Sequence, residues 1–155
     1  MAYEIEDREL PARHTAVARG TTVPAGIGPT YQRLIAAVRS FLASAGVEPD
    51  GPAFGRYLEY RPDFVDMEVG VPVAEPVESS AEVSGGELPA GRAVSTWHIG
   101  AYTKLGAAYK ALEEHVASAG LEPTGAPWEV YERGPAEDPD SATWRTEIVQ
   151  PVAPD

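Results

Sequence analysis

Ala43-Ser-Ala-Gly-Val-Glu-Pro49 returns later in the chain as Ala117-Ser-Ala-Gly-Leu-Glu-Pro123. The sequence around each copy follows the same order. Leu10-Pro-Ala12 opens one copy and Leu88-Pro-Ala90 the other; a helical apolar pattern follows, then an aromatic stretch that ends in Tyr57 or Tyr131. Each copy closes on a Glu-x-x-x-Pro strand, Glu68 to Pro72 and Glu147 to Pro151. A tandem duplication in so short a chain predicts two similar units about a pseudo-twofold axis, with the seam as the natural place for a ligand. We divide the single domain into repeat one, about residues 1–73, a linker of about 74–87, and repeat two, about 88–153.

Upstream of the repeated heptapeptide, Tyr31, Leu34, Ile35, Val38, Phe41 and Leu42 recur at the three-and-four spacing of an amphipathic helix. Pro29 suits its first turn, and Gly46 with Pro49 beyond it marks the stop. Tyr102, Leu105, Tyr109, Leu112 and Val116 repeat the stripe, and Gly120 with Pro123 repeat the stop. Residues 13–19 and 92–99 read as strands before the helices. Residues 54–60 and 128–133 follow them and turn back into 65–73 and 143–152. Each unit is therefore β-α-β-β, residues 3–8 add an opening strand, and the fold class is α+β. Residues 74–87, rich in Pro, Ser, Gly and Glu without periodicity, read as a partly mobile linker.

At 155 residues and 43% hydrophobic content, the chain can bury a core of its own. Without cysteine it has no disulfide, thiol nucleophile or thiolate metal site. Residues 1–11 carry no charged-then-apolar leader and no apolar run reaches bilayer length, so a cytoplasmic protein with no membrane partner is expected. Twelve Lys and Arg against twenty-four Asp and Glu give a net charge of −12. The basic residues are scattered, so no nucleic-acid partner is expected; an acidic cleft would attract cations, though acidity also serves solubility. His14, His98 and His115 show no ligand spacing, so no metal is expected. Neither a GxSxG elbow nor a phosphate-cradling glycine loop occurs, and no cofactor is expected.

Strand alternation sorts the candidate side chains. Val69, Val71 and Ile148 suit the face under the helices, which sends Glu68 and Glu147 to the other. On the preceding strands Tyr57 in one copy, and Glu129 with Tyr131 in the other, share a face. If these faces meet at the seam, carboxylates lie among aromatic rings, a combination that holds flat cations through ring faces and charge. Gly55 stands where the other copy has Glu129, and Phe54 where it has Trp128: a symmetric scaffold with an asymmetric floor. Trp97 and Trp144 are the better tryptophan candidates, and alternation places Trp144 on the side opposite Glu147.

The duplicated plan, the His98-Ile-Gly100-Ala-Tyr102 approach to the second helix, the Gly125-Ala-Pro-Trp-Glu-Val-Tyr131 segment and the Trp144-Arg-Thr-Glu147-Ile-Val-Gln-Pro151 strand together resemble the GyrI-like small-molecule-binding domain. This is also the effector-binding module of multidrug-responsive transcription regulators. The resemblance covers nearly the whole chain. It implies two SHS2-type units in a joined antiparallel sheet, helices on one face and a ligand groove at the repeat interface. It matches Glu129 to an acid that engages cationic ligands, Glu147 to a second acid, and Tyr31, Phe54 and Trp144 to aromatic groove residues, with Trp97 or His98 less firmly aligned. Tyr102, Tyr57, Tyr131 and Glu68 complete the set of candidates. No winged helix precedes the domain, which implies a stand-alone member.

The function expected first is binding of flat, hydrophobic, often cationic aromatic compounds. Some stand-alone members of the family are hydrolases that open cyclopropane rings in DNA-alkylating natural products, which would make Glu147 or Glu129 a general base. A gyrase-inhibitor type of interaction protein is a third expectation, and the sequence names no protein partner. Whether the chain is an enzyme stays open at this stage.

Overall fold

In the computed structural model, which describes residues 3–155, the two apolar stripes form the helices α1 (Ile27–Ala45) and α2 (Leu105–Ser118). The repeated heptapeptide is their common ending. Gly46 and Gly120 take the left-handed conformation, φ 69° and 68°, which costs glycine least. The next residue then folds back: the Val47 N–H donates to the Leu42 carbonyl at 3.0 Å, and that of Leu121 to the Val116 carbonyl at 2.9 Å. Val47 and Leu121 also pack on the core under their own helices. The repeat therefore encodes a capped stop with a hydrophobic anchor.

The strands are β1 (Glu6–Leu10), β2 (Arg13–Thr22), β3 (Phe54–Arg61), β4 (Phe64–Pro72), β5 (Ser84–Leu88), β6 (Gly91–Ile99), β7 (Trp128–Arg133) and β8 (Arg145–Pro151). With the two helices they make an α+β fold in which the strands within each unit pair antiparallel. The chain divides into two compact units, one of Met1–Pro11 with Ala90–Asp155 and one of Ala12–Pro89.

In the Ala12–Pro89 unit the strand order is β3-β4-β2-β5. Leu34, Ile35, Val38 and Leu42 of α1 cover Ala16 and Ala18 of β2 and Val65, Met67, Val69 and Val71 of β4. In the other unit the order is β1-β6-β8-β7, and Leu105, Ala108, Leu112 and Val116 of α2 cover Val94, Ile148 and Val152. Each large aliphatic side chain so buried contributes about 1.5–3 kcal/mol. The closing prolines have matching tasks. The Pro72 carbonyl accepts from the Asp50 N–H at 2.8 Å and the Pro151 carbonyl from the Thr124 N–H at 3.1 Å, tying each post-helix segment to its sheet.

Two features differ from the sequence reading. The opening strand spans Glu6–Leu10 rather than residues 3–8, and it pairs with β6 of the second copy, Glu6 opposite Ser95 and Leu10 opposite Gly91. Reciprocally, the end of the segment read as a mobile linker is β5, which pairs with β2 of the first copy, Arg13 opposite Leu88 and Val17 opposite Ser84. Each copy's opening strand thus completes the other copy's sheet. Gly85 and Gly86 suit β5 to this place, because a Cβ at Gly85 would lie 2.5 Å from the Val77 carbonyl oxygen.

Candidate ligand-binding site

Register decides which candidates meet, since directly opposed residues on antiparallel strands share a face. Glu129 is opposite Ile148, and Tyr131 opposite Thr146; Ile148 belongs to the core under α2. Glu129 and Tyr131 therefore lie on the helix-covered face. Glu147 is opposite Val130 on one side and Trp97 on the other, so it lies on the reverse face. The two glutamates do not converge on one ligand from β7 and β8.

Glu129 is a buried carboxylate, 6% exposed. The Tyr109 hydroxyl, from α2, donates to its Oε2 at 2.5 Å and the Tyr131 hydroxyl to its Oε1 at 2.9 Å. Burial raises its pKa above the usual carboxylate value, while the hydrogen bonds from Tyr109 and Tyr131 pull it back part of the way. A carboxylate has about four acceptor positions, so two tyrosines leave capacity for a ligand.

An aromatic wall continues from Tyr131. The Tyr102 ring stands edge-on to Tyr131 at 5.7 Å and packs on Trp144 at 4.7 Å. Tyr102 lies in the 3-10 turn Tyr102–Lys104 before α2. Its hydroxyl reaches in over Gly134, where a Cβ would approach it to 2.6 Å. Trp144 follows a second 3-10 turn, Ser141–Thr143, just ahead of β8. Its indole N–H donates to the Asp138 carbonyl at 2.7 Å, and Asp138 is held in turn by Arg133 at 3.0 Å and Thr143 at 2.9 Å. Trp144 precedes β8, and its packing on Tyr102, which in turn meets Tyr131, sets it on the side away from Glu147.

Glu147 has a different environment. Arg8 of β1 pairs with it at 2.7 Å. Burial raises its pKa, the Arg8 charge opposes that, and Glu6 and Glu132 nearby raise it further. Trp97, opposite it, is half-buried and carries the Arg145 guanidinium 4.2 Å above its ring. This cluster is already ion-paired and capped by its own arginines.

The remaining candidates fall in the Ala12–Pro89 unit. Tyr31 and Tyr57 pack at the margin of its core, and Tyr57 is edge-on to Tyr60 at 6.3 Å. Gly55 is opposite Val69, which puts it in the register position of Glu129. Phe54, opposite Gly70, is 1% exposed. Glu68 lies on the reverse face between Arg56 and Arg19.

Tyr109 and Arg8 escaped the sequence reading as site residues. For Tyr109 a signal exists: the stripe aligns it with Ile35, so a hydroxyl appears in one copy only, on the same copy as Glu129. Arg8 has no such signal, since its partner is far away in sequence. Among the described residues no three His, Asp or Glu side chains group as a metal site requires, and no helix is long and apolar enough to cross a membrane. Two open depressions, of about 420 and 590 Å³, lie elsewhere, against Phe41 and Val77 and against Tyr3 and Lys110. Neither contains the carboxylate and ring cluster, and chemistry rather than volume identifies the candidate here.

No curated protein sequence matches the chain. Among solved structures, the C-terminal domain of EcmrR is 27% identical with a TM-score of 0.89, each chain covered in full. In the EcmrR–DNA complex the identity is 27% and the TM-score 0.88, and this chain spans 59% of that protein's length. SAV2435 bound to tetraphenylphosphonium has 16% identity and a TM-score of 0.63, with 99% of this chain and 94% of that one covered. A hydrolase encoded by lin2189 of Listeria innocua has 14% identity and a TM-score of 0.68, with 98% and 93% covered; these last two likenesses concern the fold. The GyrI-like small molecule binding domain matches residues 1–153. With the duplicated α+β plan and this match over nearly its whole length, the chain belongs to the GyrI-like small-molecule-binding domain family.

Proposed function

We propose that the chain binds flat, hydrophobic aromatic cations, with Glu129 as the charge-recognition residue and Tyr131, Tyr102 and Trp144 as the aromatic wall. The observation that carries this reading is the buried Glu129 carboxylate, oriented by two tyrosine hydroxyls and, among the described residues, with no cationic side chain among the groups that shift its pKa. A buried carboxylate is costly in the free protein, and a ligand cation offsets that cost in a low-dielectric setting. SAV2435 supplies a precedent for a cation on this fold. Glu147, satisfied by Arg8, is the matched control. The net charge of −12 argues against phosphate contact by this chain.

Titration with tetraphenylphosphonium, followed by tyrosine and tryptophan fluorescence, tests this. Glu129→Gln is expected to weaken binding at least tenfold, about 1.4 kcal/mol or more, and Glu147→Gln by less than threefold. Equal affinity in wild type and Glu129→Gln would overturn the assignment.

The raised carboxyl value of Glu129 also favours a second reading, as a general base in hydrolysis of a strained three-membered ring. Water oxygen would bond to a ring carbon as Glu129 takes its proton and the ring C–C bond breaks, and protonated Glu129 would return that proton to the released carbon. Glu147 is less suited, being held by Arg8. Incubation with a cyclopropane-bearing alkylator should give a product heavier by one water; stoichiometric binding without turnover removes this reading.

A further inference from the structure

We propose that Thr146 is a ligand-recognition residue whose hydroxyl pairs with a hydrogen-bonding group of an aromatic cation held against Glu129. This inference rests on the binding function proposed above. Thr146 is on β8 in the row Tyr131–Thr146–His98, on the helix-covered face. It is 0% exposed, and among the described residues its Oγ1 has no hydrogen-bond partner. A dry, unpaired hydroxyl is among the costlier ways to bury a polar atom, and native proteins hold few of them.

Its neighbours do not require it. The Tyr131 hydroxyl already donates to Glu129 at 2.9 Å. His98 uses Nδ1 with the Tyr3 hydroxyl at 2.8 Å and Nε2 with the Ala101 carbonyl at 3.1 Å. Because a carbonyl only accepts, Nε2 donates to Ala101, and Nδ1 is engaged with the Tyr3 hydroxyl. Both flanking groups are thus committed elsewhere.

The scaffold does not require it either. The matching row of the other unit is Tyr57–Met67–Gly20, and Met67 at the position of Thr146 is 0% exposed within an apolar core. One fold position is therefore filled with an apolar side chain in one copy and an unpaired hydroxyl in the other. β-Branching would suit the strand equally well as valine. The hydroxyl sits diagonally across the β7–β8 ladder from Glu129, a separation that long side chains and ligands bridge. For the ligand to reach it, the ring cover about Tyr131 and Tyr102 has to shift.

The test uses Thr146→Val and Thr146→Ser with two probes: proflavine, a flat cation with N–H donors, and tetraphenylphosphonium, which has no hydrogen-bonding group. Thr146→Val is expected to raise Tm by about 2–4 °C. It should weaken proflavine about three- to tenfold and change tetraphenylphosphonium less than twofold. Thr146→Ser should restore the proflavine affinity. A lower Tm in Thr146→Val, an unchanged proflavine affinity, or equal losses for both probes would each overturn the proposal. Glu129→Gln separates the two levels: if it also leaves both ligands bound, the binding reading fails, and if it alone loses them, only the role of Thr146 fails.

Discussion

The same three register positions are apolar in one unit and polar in the other. In the Ala12–Pro89 unit Gly55, Met67 and Gly20 stand on the helix-covered face; in its counterpart Glu129, Thr146 and His98 stand there. The helix above follows suit, with Ile35 in one and Tyr109 in the other. Since α1 over β2 and β4 makes a stable core with apolar residues alone, the fold has no need of the polar set. On the proposed binding reading, duplication has left one copy to scaffold work and freed the other for recognition.

Placing the carboxylate in the wrong copy should break this division most severely. Gly55→Glu introduces an acid at the Glu129 position, where the helix offers Ile35, 6% exposed, in place of a tyrosine hydroxyl. With only Tyr57, the counterpart of Tyr131, left to donate and apolar packing around it, this buried charge costs about 3–5 kcal/mol. Urea unfolding is expected to show that loss, and Ile35→Tyr in the same chain should recover part of it. A loss below about 1 kcal/mol, the scale of ordinary surface changes, would show that Tyr109 is not what makes Glu129 tolerable.

Removing the hydroxyl from the right copy comes next in size. Tyr109→Phe deletes a donor to a buried carboxylate, a bond worth about 1.5–3 kcal/mol when the acceptor is charged. Stability should fall by about 2 kcal/mol at neutral pH by that measure. The Glu129 carboxyl, having lost one of the two groups that lower its pKa, should titrate at higher pH than in wild type. Carbon-detected NMR of the carboxyl reports the second effect directly. An unmoved titration would mean that Tyr131 alone sets the charge state.

Much of this architecture was legible because its signals are local. The helix stripes, the left-handed Gly46 and Gly120, and the closing Glu-x-x-x-Pro strands each depend on residues a few positions apart. Alternation also sent Glu147 to the face away from the helices and put Glu129 and Tyr131 on one face together, without saying which. The exchange of opening strands was not legible, since pairing Arg8 with Ala93 or Arg13 with Leu88 leaves no local trace. For the same reason the ion pair of Arg8 with Glu147 could not be read, and Glu147 kept a place beside Glu129 as a recognition acid. Tyr109 was hidden differently: a tyrosine in an amphipathic stripe reads as packing until the strand below it is known.

The smallest expected effect is the pH dependence that only the polar copy should carry. Burial raises the folded-state pKa of Glu129 above the ordinary 4.5. Below that value the carboxyl is protonated in both folded and unfolded chains and contributes no difference. As pH rises through it, the unfolded chain ionises first, so wild-type stability falls until the folded-state value is passed, and the penalty is then complete. Glu129→Gln does not titrate there. Its stability relative to wild type should therefore grow from acid to neutral pH, and any constant cost from losing one acceptor oxygen shifts that curve without bending it. Glu147, also raised by burial, titrates in both proteins and cancels. Cation affinity should move with the same group, weak where Glu129 is protonated and stronger above its folded-state value. Thermal unfolding of both proteins across pH 4 to 8, with tetraphenylphosphonium titrations at each step, measures the two curves together. A stability difference that is flat, or that shrinks toward neutral pH, would remove Glu129 as the charged centre of the site and leave the two copies unlike in shape alone.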